Sequence, residues 1–250
     1  MAEANEKYVL RLADNALILG QQLGEWCGHG PVLEQDIALT NVALDLIGQS
    51  RMLYQYAAEL CGDGSTEDDL AMKRDVFDFY NVLLVEQPNG DWGNTIVRQF
   101  FYDTYNYFLY DFLCNSTDNR IAEIARKSIK EIAYHAQFSA EWVIRLGDGT
   151  EESHQRVQAS VNDLWNYTGE MFTPDQLDKD MYELGIAPDL QEIGKAWRKK
   201  IDEILDIASL KKPDNEFFHT GGKVGEHGET LGFILAELQF MQRAYPEMKW

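Results

Sequence analysis

The chain has 250 residues, 45% hydrophobic and 26% charged, which is the balance of a soluble globular protein and not of a disordered one. Its 42 Asp and Glu outweigh 22 Lys and Arg for a net charge of −20, which repels nucleic-acid phosphates and anionic membrane surfaces. Cys27, Cys61 and Cys114 are scattered, so neither a disulfide framework nor a zinc cluster is expected. The acidic N-terminus and the lack of any long apolar run predict a cytoplasmic protein with no leader and no membrane span.

Six prolines, at 31, 88, 174, 188, 213 and 246, fall between periodic segments and not inside them, a pattern of long helices with short breaks. Helices are predicted over roughly 6–27, 31–60, 66–86, 91–116, 118–147, 151–171, 175–184, 189–210 and 224–244. Pro31 suits the first position of the second helix, where a missing N–H costs nothing. Within that helix, residues 37–48 are apolar on nearly every side, which predicts a central position. Its polar residues Asn41, Asp45 and Gln49 step by four along one row. Val82-Leu-Leu-Val85 is too short to assign by period. The helix over 91–116 carries nine aromatic rings, too many for a surface helix, with Asp103 among them. A carboxylate in that setting needs a partner or a metal. In 118–147 the residues Ile121, Ala125, Ser128, Ile132, His135, Ser139, Trp142 and Leu146 step by three and four and should face the core. Thr173-Pro-Asp-Gln176 reads as a capping box with Thr173 as N-cap, and Asp189 with Glu192 repeats the logic. The longest irregular stretch is expected at about 211–223. No linker, repeat or low-complexity tract divides the chain, so residues 1–250 are expected to form a single all-α domain, a ferritin-like helical bundle with extra helices.

An all-helical chain with acids in its central helices raises the question of a di-iron carboxylate site, in which two helices each give a Glu and two others each give a Glu-x-x-His. His29, His135 and His227 lack an acid three residues before them. Glu151–His154 and Glu216–His219 match literally, but the first sits in an acidic first helical turn and the second in the irregular stretch. Glu131 precedes His135 by four, which still lets the two meet on a helix, but Asp45 has Gly48 where a second imidazole is needed. Asp45, Asp103, Glu131 and His135 therefore read as candidates for a degenerate site, the acids lying inside the bundle with partners, and no metal ligand or catalytic residue is assigned. The alternatives are an active ferritin-like di-iron oxygenase or oxidase using these four residues, and a storage or scaffold protein that only self-assembles.

Four stretches carry a resemblance that runs nearly end to end: RLADNALILGQQLGEWCGHGPVLEQDIALTNVALDLIGQSR (11–51), LLVEQPNGDW (83–92), IKEIAYHAQFSAEW (129–142) and TGGKVGEHGETLGFILAELQFMQRAYP (220–246). The chain resembles the C subunits of the bacterial ring-1,2-phenylacetyl-CoA epoxidases of phenylacetate degradation. The resemblance implies a ferritin-like relative of the catalytic (A) subunit that has lost its iron ligands. Such a chain has no activity or cofactor of its own and forms a hetero-oligomer as a structural partner of the catalytic subunit. It further implies a di-iron centre in that partner, a small (B) subunit, and a reductase with flavin and iron–sulfur groups that takes electrons from NADPH. The reaction implied is epoxidation of the phenylacetyl-CoA ring with O2.

Residues 195–223 hold seven basic and five acidic side chains, a net +2, against −22 for the rest. Gly221-Gly222-Lys223-Val224-Gly225-Glu226-His227 is not a phosphate loop, because Phe217 stands where its first glycine is required and Val224 follows the lysine. Its backbone N–H groups could still meet an anion at the start of the next helix. Lys199, Lys200, Gly221, Gly222, Lys223, Gly225 and His227 are thus candidates for contact with an acidic partner or the phosphates of coenzyme A, beside the plainer reading of a solvated helix face and a turn.

Overall fold

The structure, a computed structural model, describes residues 2–215, 217–246 and 248. Its helices are α1 (Ala2–Gly24), α2 (Leu33–Cys61), α3 (Glu67–Met72), α4 (Trp92–Leu113), α5 (Asn119–Gly147), α6 (Glu151–Trp165), α7 (Gln176–Glu183), α8 (Leu190–Ile207), α9 (Glu229–Leu238) and α10 (Phe240–Ala244). Short 3-10 turns lie at Val76–Asp78, Gly169–Phe172 and Gly222–Val224, and no strand occurs among the described residues. The chain is all-α, consistent with the expected ferritin-like helical bundle. It forms two compact units, residues 1–86 with 221–250, and residues 87–220.

In the first unit α1 and α2 run antiparallel, with Asn5 beside Tyr56 and Asp14 beside Tyr54. The helix start near Pro31 falls two residues later than predicted. Asp36 accepts the Gly30 N–H at 2.9 Å, which holds residues 30–32 in a turn, and Val32 is the N-cap. The helix predicted over 66–86 is only α3. Thr66 and Asp69 cap its start reciprocally, and Arg74 closes its end by donating Nε–H to the Leu70 carbonyl at 2.6 Å.

Beyond α3 and the 3-10 turn at Val76–Asp78 the chain enters the interior without α-helical structure: Phe79, Asn81, Val82, Leu84, Val85 and Glu86 are buried. Buried backbone groups need partners, and α1 supplies several. Asp14 accepts the Tyr80 N–H at 2.8 Å, Asn15 accepts the Val82 N–H at 2.8 Å, and Gln22 donates to the Glu86 carbonyl at 3.1 Å.

Asp14 carries the heaviest load. Its fully buried carboxylate also accepts from the Tyr54 hydroxyl at 2.6 Å and forms an ion pair with Arg74 through both guanidinium NH groups. The guanidinium in turn donates to the Asp78 carbonyl at 2.7 Å and lies 4.2 Å from the centre of the Phe79 ring. Burial alone would weaken the Arg74 charge, but Asp14 more than restores it and holds its pKa above the ordinary value. Burial, reinforced by the Asp14 charge, pushes the Tyr54 hydroxyl well up.

The second unit is organised by α4 and α5, packed antiparallel, with α6 and α8 against α4. The Trp197 indole donates to the Phe101 carbonyl at 2.8 Å. Phe101, Trp165, Phe172 and Trp197 form a ring cluster with centroid spacings from 5.0 to 5.8 Å, and Trp197 is buried despite its size. Most of the stripe predicted on α5 faces inward, with Ile121, Ala125, Ser128, Ile132, His135 and Ser139 buried, while Trp142 and Leu146 at its end are only half-buried. The capping box before α7 is shifted. Asp175 and Asp178 form it, while the Thr173 hydroxyl is used by the Gly169 carbonyl at 2.9 Å. Asp189 is the N-cap of α8, accepting the Gln191 N–H at 2.8 Å.

Removing the carboxylate of Asp14 strands a nearly buried guanidinium. Asp14→Ala is expected to lose about 3–5 kcal/mol of stability, read as a lowered midpoint in a denaturant titration. The exposed pair Arg156–Glu152 serves as the control, and Glu152→Ala leaves the midpoint unchanged.

Candidate functional site

The interior of the second unit holds the buried acid. Asp103 on α4 is 3% exposed and accepts from the Gln99 amide at 3.2 Å. It also hydrogen-bonds Ser139 of α5, whose own hydroxyl proton goes to the His135 carbonyl at 2.9 Å. Burial pushes Asp103 up to about 8, against the Ser139 hydrogen bond and the attraction of Arg98. Burial therefore keeps Asp103 mostly protonated at pH 7.

The other candidates are not gathered around it. His135 is buried and sets its ring edge-on to Tyr134 at 6.2 Å. Glu131, expected inside, is only half-buried on the flank of α5. Asp45 belongs to the first unit and is also half-buried, not interior. The physical reason lies in its row. Residues four apart drift around a helix by about 40° per step, so Asn41 is exposed, Asp45 half-buried and Gln49 buried. The row is neither a solvent face nor an internal ladder. His154 faces the Gly147 carbonyl at 2.7 Å, His219 stacks on Tyr167 at 4.7 Å, and Glu216 lies outside the described residues. Among the described residues no group of three or more His, Cys, Asp or Glu is placed to hold a metal ion.

The basic window divides between the units. On α8, Lys199 is exposed and Lys200 is half-buried, paired with Glu203 at 3.1 Å. Lys200 borders an open apolar groove of about 410 Å³ among α4, α5 and α8, lined by Tyr107, Phe108, Ala136, Ala140, Ile144 and Ile204.

The glycine segment lies in the first unit, and its N–H groups are largely spent internally: Val224 and Glu226 donate to the Gly221 carbonyl and Gly225 to that of Gly222. Lys223 is buried, and Arg11 donates to its carbonyl at 3.1 Å. Gly225 has φ +89, and a Cβ there would run into the Phe77 carbonyl oxygen, so both conformation and space require glycine.

The anion at the start of α9 comes from the chain itself. Glu86 accepts the Gly228 N–H at 2.7 Å, the Asn81 amide at 3.0 Å and His227 Nδ1 at 2.8 Å. The helix predicted from 224 accordingly begins only at Glu229. His227 Nε2 faces the Phe79 carbonyl at 2.9 Å. Both ring nitrogens thus face acceptors, which only the imidazolium satisfies. Burial works against the charged ring, but the hydrogen bonds to Glu86 and Phe79 and the Glu86 charge outweigh it and hold the pKa above the ordinary histidine value. Sequence reasoning missed Glu86 because nothing local distinguishes it; only the fold brings it to His227.

Two pH effects of the same sign follow from different groups. A pKa raised on folding means that the folded state holds the proton more tightly, so stability falls as pH rises through that window. For Asp103 the window runs from the free carboxyl value to about 8. Asp103→Asn, a neutral near-isostere, should gain on the wild type in urea melts as pH rises from 5 to 8. For His227 the contribution is complete below about 6.5 and is lost through its raised folded value. His227→Gln should be most destabilising near pH 6, with its deficit shrinking by pH 9.

Comparison with known proteins gives one consistent result. The family described as phenylacetic acid catabolic protein matches residues 2–250. The chain is 48% identical over 243 residues to the protein named as the C subunit of 1,2-phenylacetyl-CoA epoxidase in Escherichia coli (strain K12), covering 97% of this chain and 98% of that one. With a match along essentially its whole length, the chain belongs to the phenylacetic acid catabolic protein family.

Proposed function

We propose that this chain is the non-catalytic structural subunit of a 1,2-phenylacetyl-CoA epoxidase of the cytoplasm, paired with the di-iron catalytic (A) subunit. A small (B) subunit and a flavin and iron–sulfur reductase complete the system. The observation that carries the reading is the near full-length identity to a protein named as the C subunit of that enzyme. Two features of the chain support the assignment of chemistry to the partner. Asp103, the interior carboxyl between α4 and α5, is held mostly protonated by burial and accepts from Gln99, and the remaining acids of the candidate set lie on helix flanks. In this reading α4 and α5 keep the bundle geometry of a ferritin-like domain, and Asp103, Gln99 and Ser139 fill with hydrogen bonds the space that metal ligands occupy in such bundles. The exposed Lys199 and the apolar groove beside Lys200 are the places offered to the partner or to the phosphates of coenzyme A.

The test is metal content and assembly together. Purified alone, the chain is expected to be folded and to carry far less than one iron per molecule. Co-expressed with the catalytic subunit, it should elute with it as one species whose iron is accounted for by that subunit. Two irons in the isolated chain would overturn the reading in favour of an active di-iron oxygenase. Separate elution of the two chains would remove the structural-partner role.

A further inference from the structure

We propose that the outward face of α2, formed by Leu33, Ile37, Leu44, Ile47 and Gly48, is the docking site for a helix of a different subunit, one that flanks its own apolar stripe with Lys or Arg. The inference rests on the reading of the chain as a subunit of the epoxidase and adds which surface is used and what it recognises.

A helix that is apolar on nearly all sides belongs in an interior, and residues 37–48 of α2 are such a segment, yet only part of its circumference is buried. Ala38, Leu39, Val42, Ala43, Leu46 and Leu53 are buried. Leu33, Ile37, Leu44 and Ile47 remain 71%, 51%, 61% and 39% exposed. These four recur at helical spacing on one side of α2, over about 21 Å of axis. Scattered apolar side chains on a surface are ordinary, but a contiguous stripe of this kind marks an interaction site.

Gly48 is a second, independent sign. Glycine weakens a helix interior, so its presence needs a reason. Its backbone is not in the left-handed region, and a Cβ built there meets no atom of this chain within 4 Å. Neither conformation nor internal packing explains it. Close approach of another backbone along the stripe does.

Charge selects the occupant. Residues 33–50 contain Glu34, Asp36 and Asp45 and no Lys or Arg. A second copy would set these acids against themselves, on two bodies each at −20. A heterologous helix with basic flanks complements them, and opposite charge at the rim of an apolar contact favours encounter and excludes like-charged partners.

The experiment uses the full chain, the co-expressed catalytic subunit, and the variants Leu44→Glu and Gly48→Gln. Neither side chain contributes to the buried core, so both variants should keep the wild-type thermal midpoint to within a few degrees when studied alone. In titrations against the catalytic subunit both are expected to bind at least tenfold more weakly. A loss smaller than tenfold in both overturns the docking face and leaves the proposed function standing. Failure of the wild-type chain to bind the catalytic subunit would instead remove the function on which the inference rests. A wild-type homodimer that Leu44→Glu dissociates would overturn the heterologous occupant.

Discussion

A carboxylate with no access to water must be surrounded by donors, and Asp14 collects them from three separate parts of the chain: Tyr54 on α2, Arg74 beyond α3 and the backbone of Tyr80. Because each of these lies far from Asp14 in sequence, satisfying one carboxylate fixes the antiparallel register of α1 and α2, the end of α3 and the path of the buried segment that follows. The neighbouring Asn15 and Gln22 continue the same service for Val82 and Glu86. An apolar α1 could pack against α2 equally well, but it would leave the backbone of residues 79–86 with unmet hydrogen bonds, each a substantial cost in a dry interior.

The same requirement explains what was legible in the sequence and what was not. Helices were readable where period and caps agree: Asp189 caps α8 as predicted, and the inward stripe of α5 follows from spacing along most of its length. The helix predicted across 66–86 failed because the competitor was tertiary. Side chains of α1 offered acceptors to N–H groups that an isolated segment would have satisfied as a helix. No local pattern carries that information. Of the candidate site, Asp103 was correctly placed among rings in the interior, since nine aromatics on one helix leave little room for solvent. Asp45 and Glu131 were not, because a row of residues four apart rotates out of the core within two steps.

Asp103 and the pair Glu86–His227 show opposite solutions to burying an acid. In the first, burial raises the proton affinity and the group becomes neutral. In the second, the Gly228 N–H, the Asn81 amide and an imidazolium converge on the carboxylate from different elements. The glycine segment that looked like an open cradle for an external anion is built around an internal one, and its sequence signature is the same in either case. Geometry alone separates the two.

The Glu86–His227 contact joins positions 141 residues apart, at the two points where the chain leaves and re-enters the first unit. Residues 87–220, which lie between them, make up the second unit, which is therefore contiguous in sequence. The first unit is split, and its N-terminal hairpin must wait for residues 221–250 before Glu86 meets its imidazolium and α9 can be seated. Local contacts form early and distant ones late, so the N-terminal hairpin, although made first, completes its contacts to His227 and α9 only after the second unit has been made.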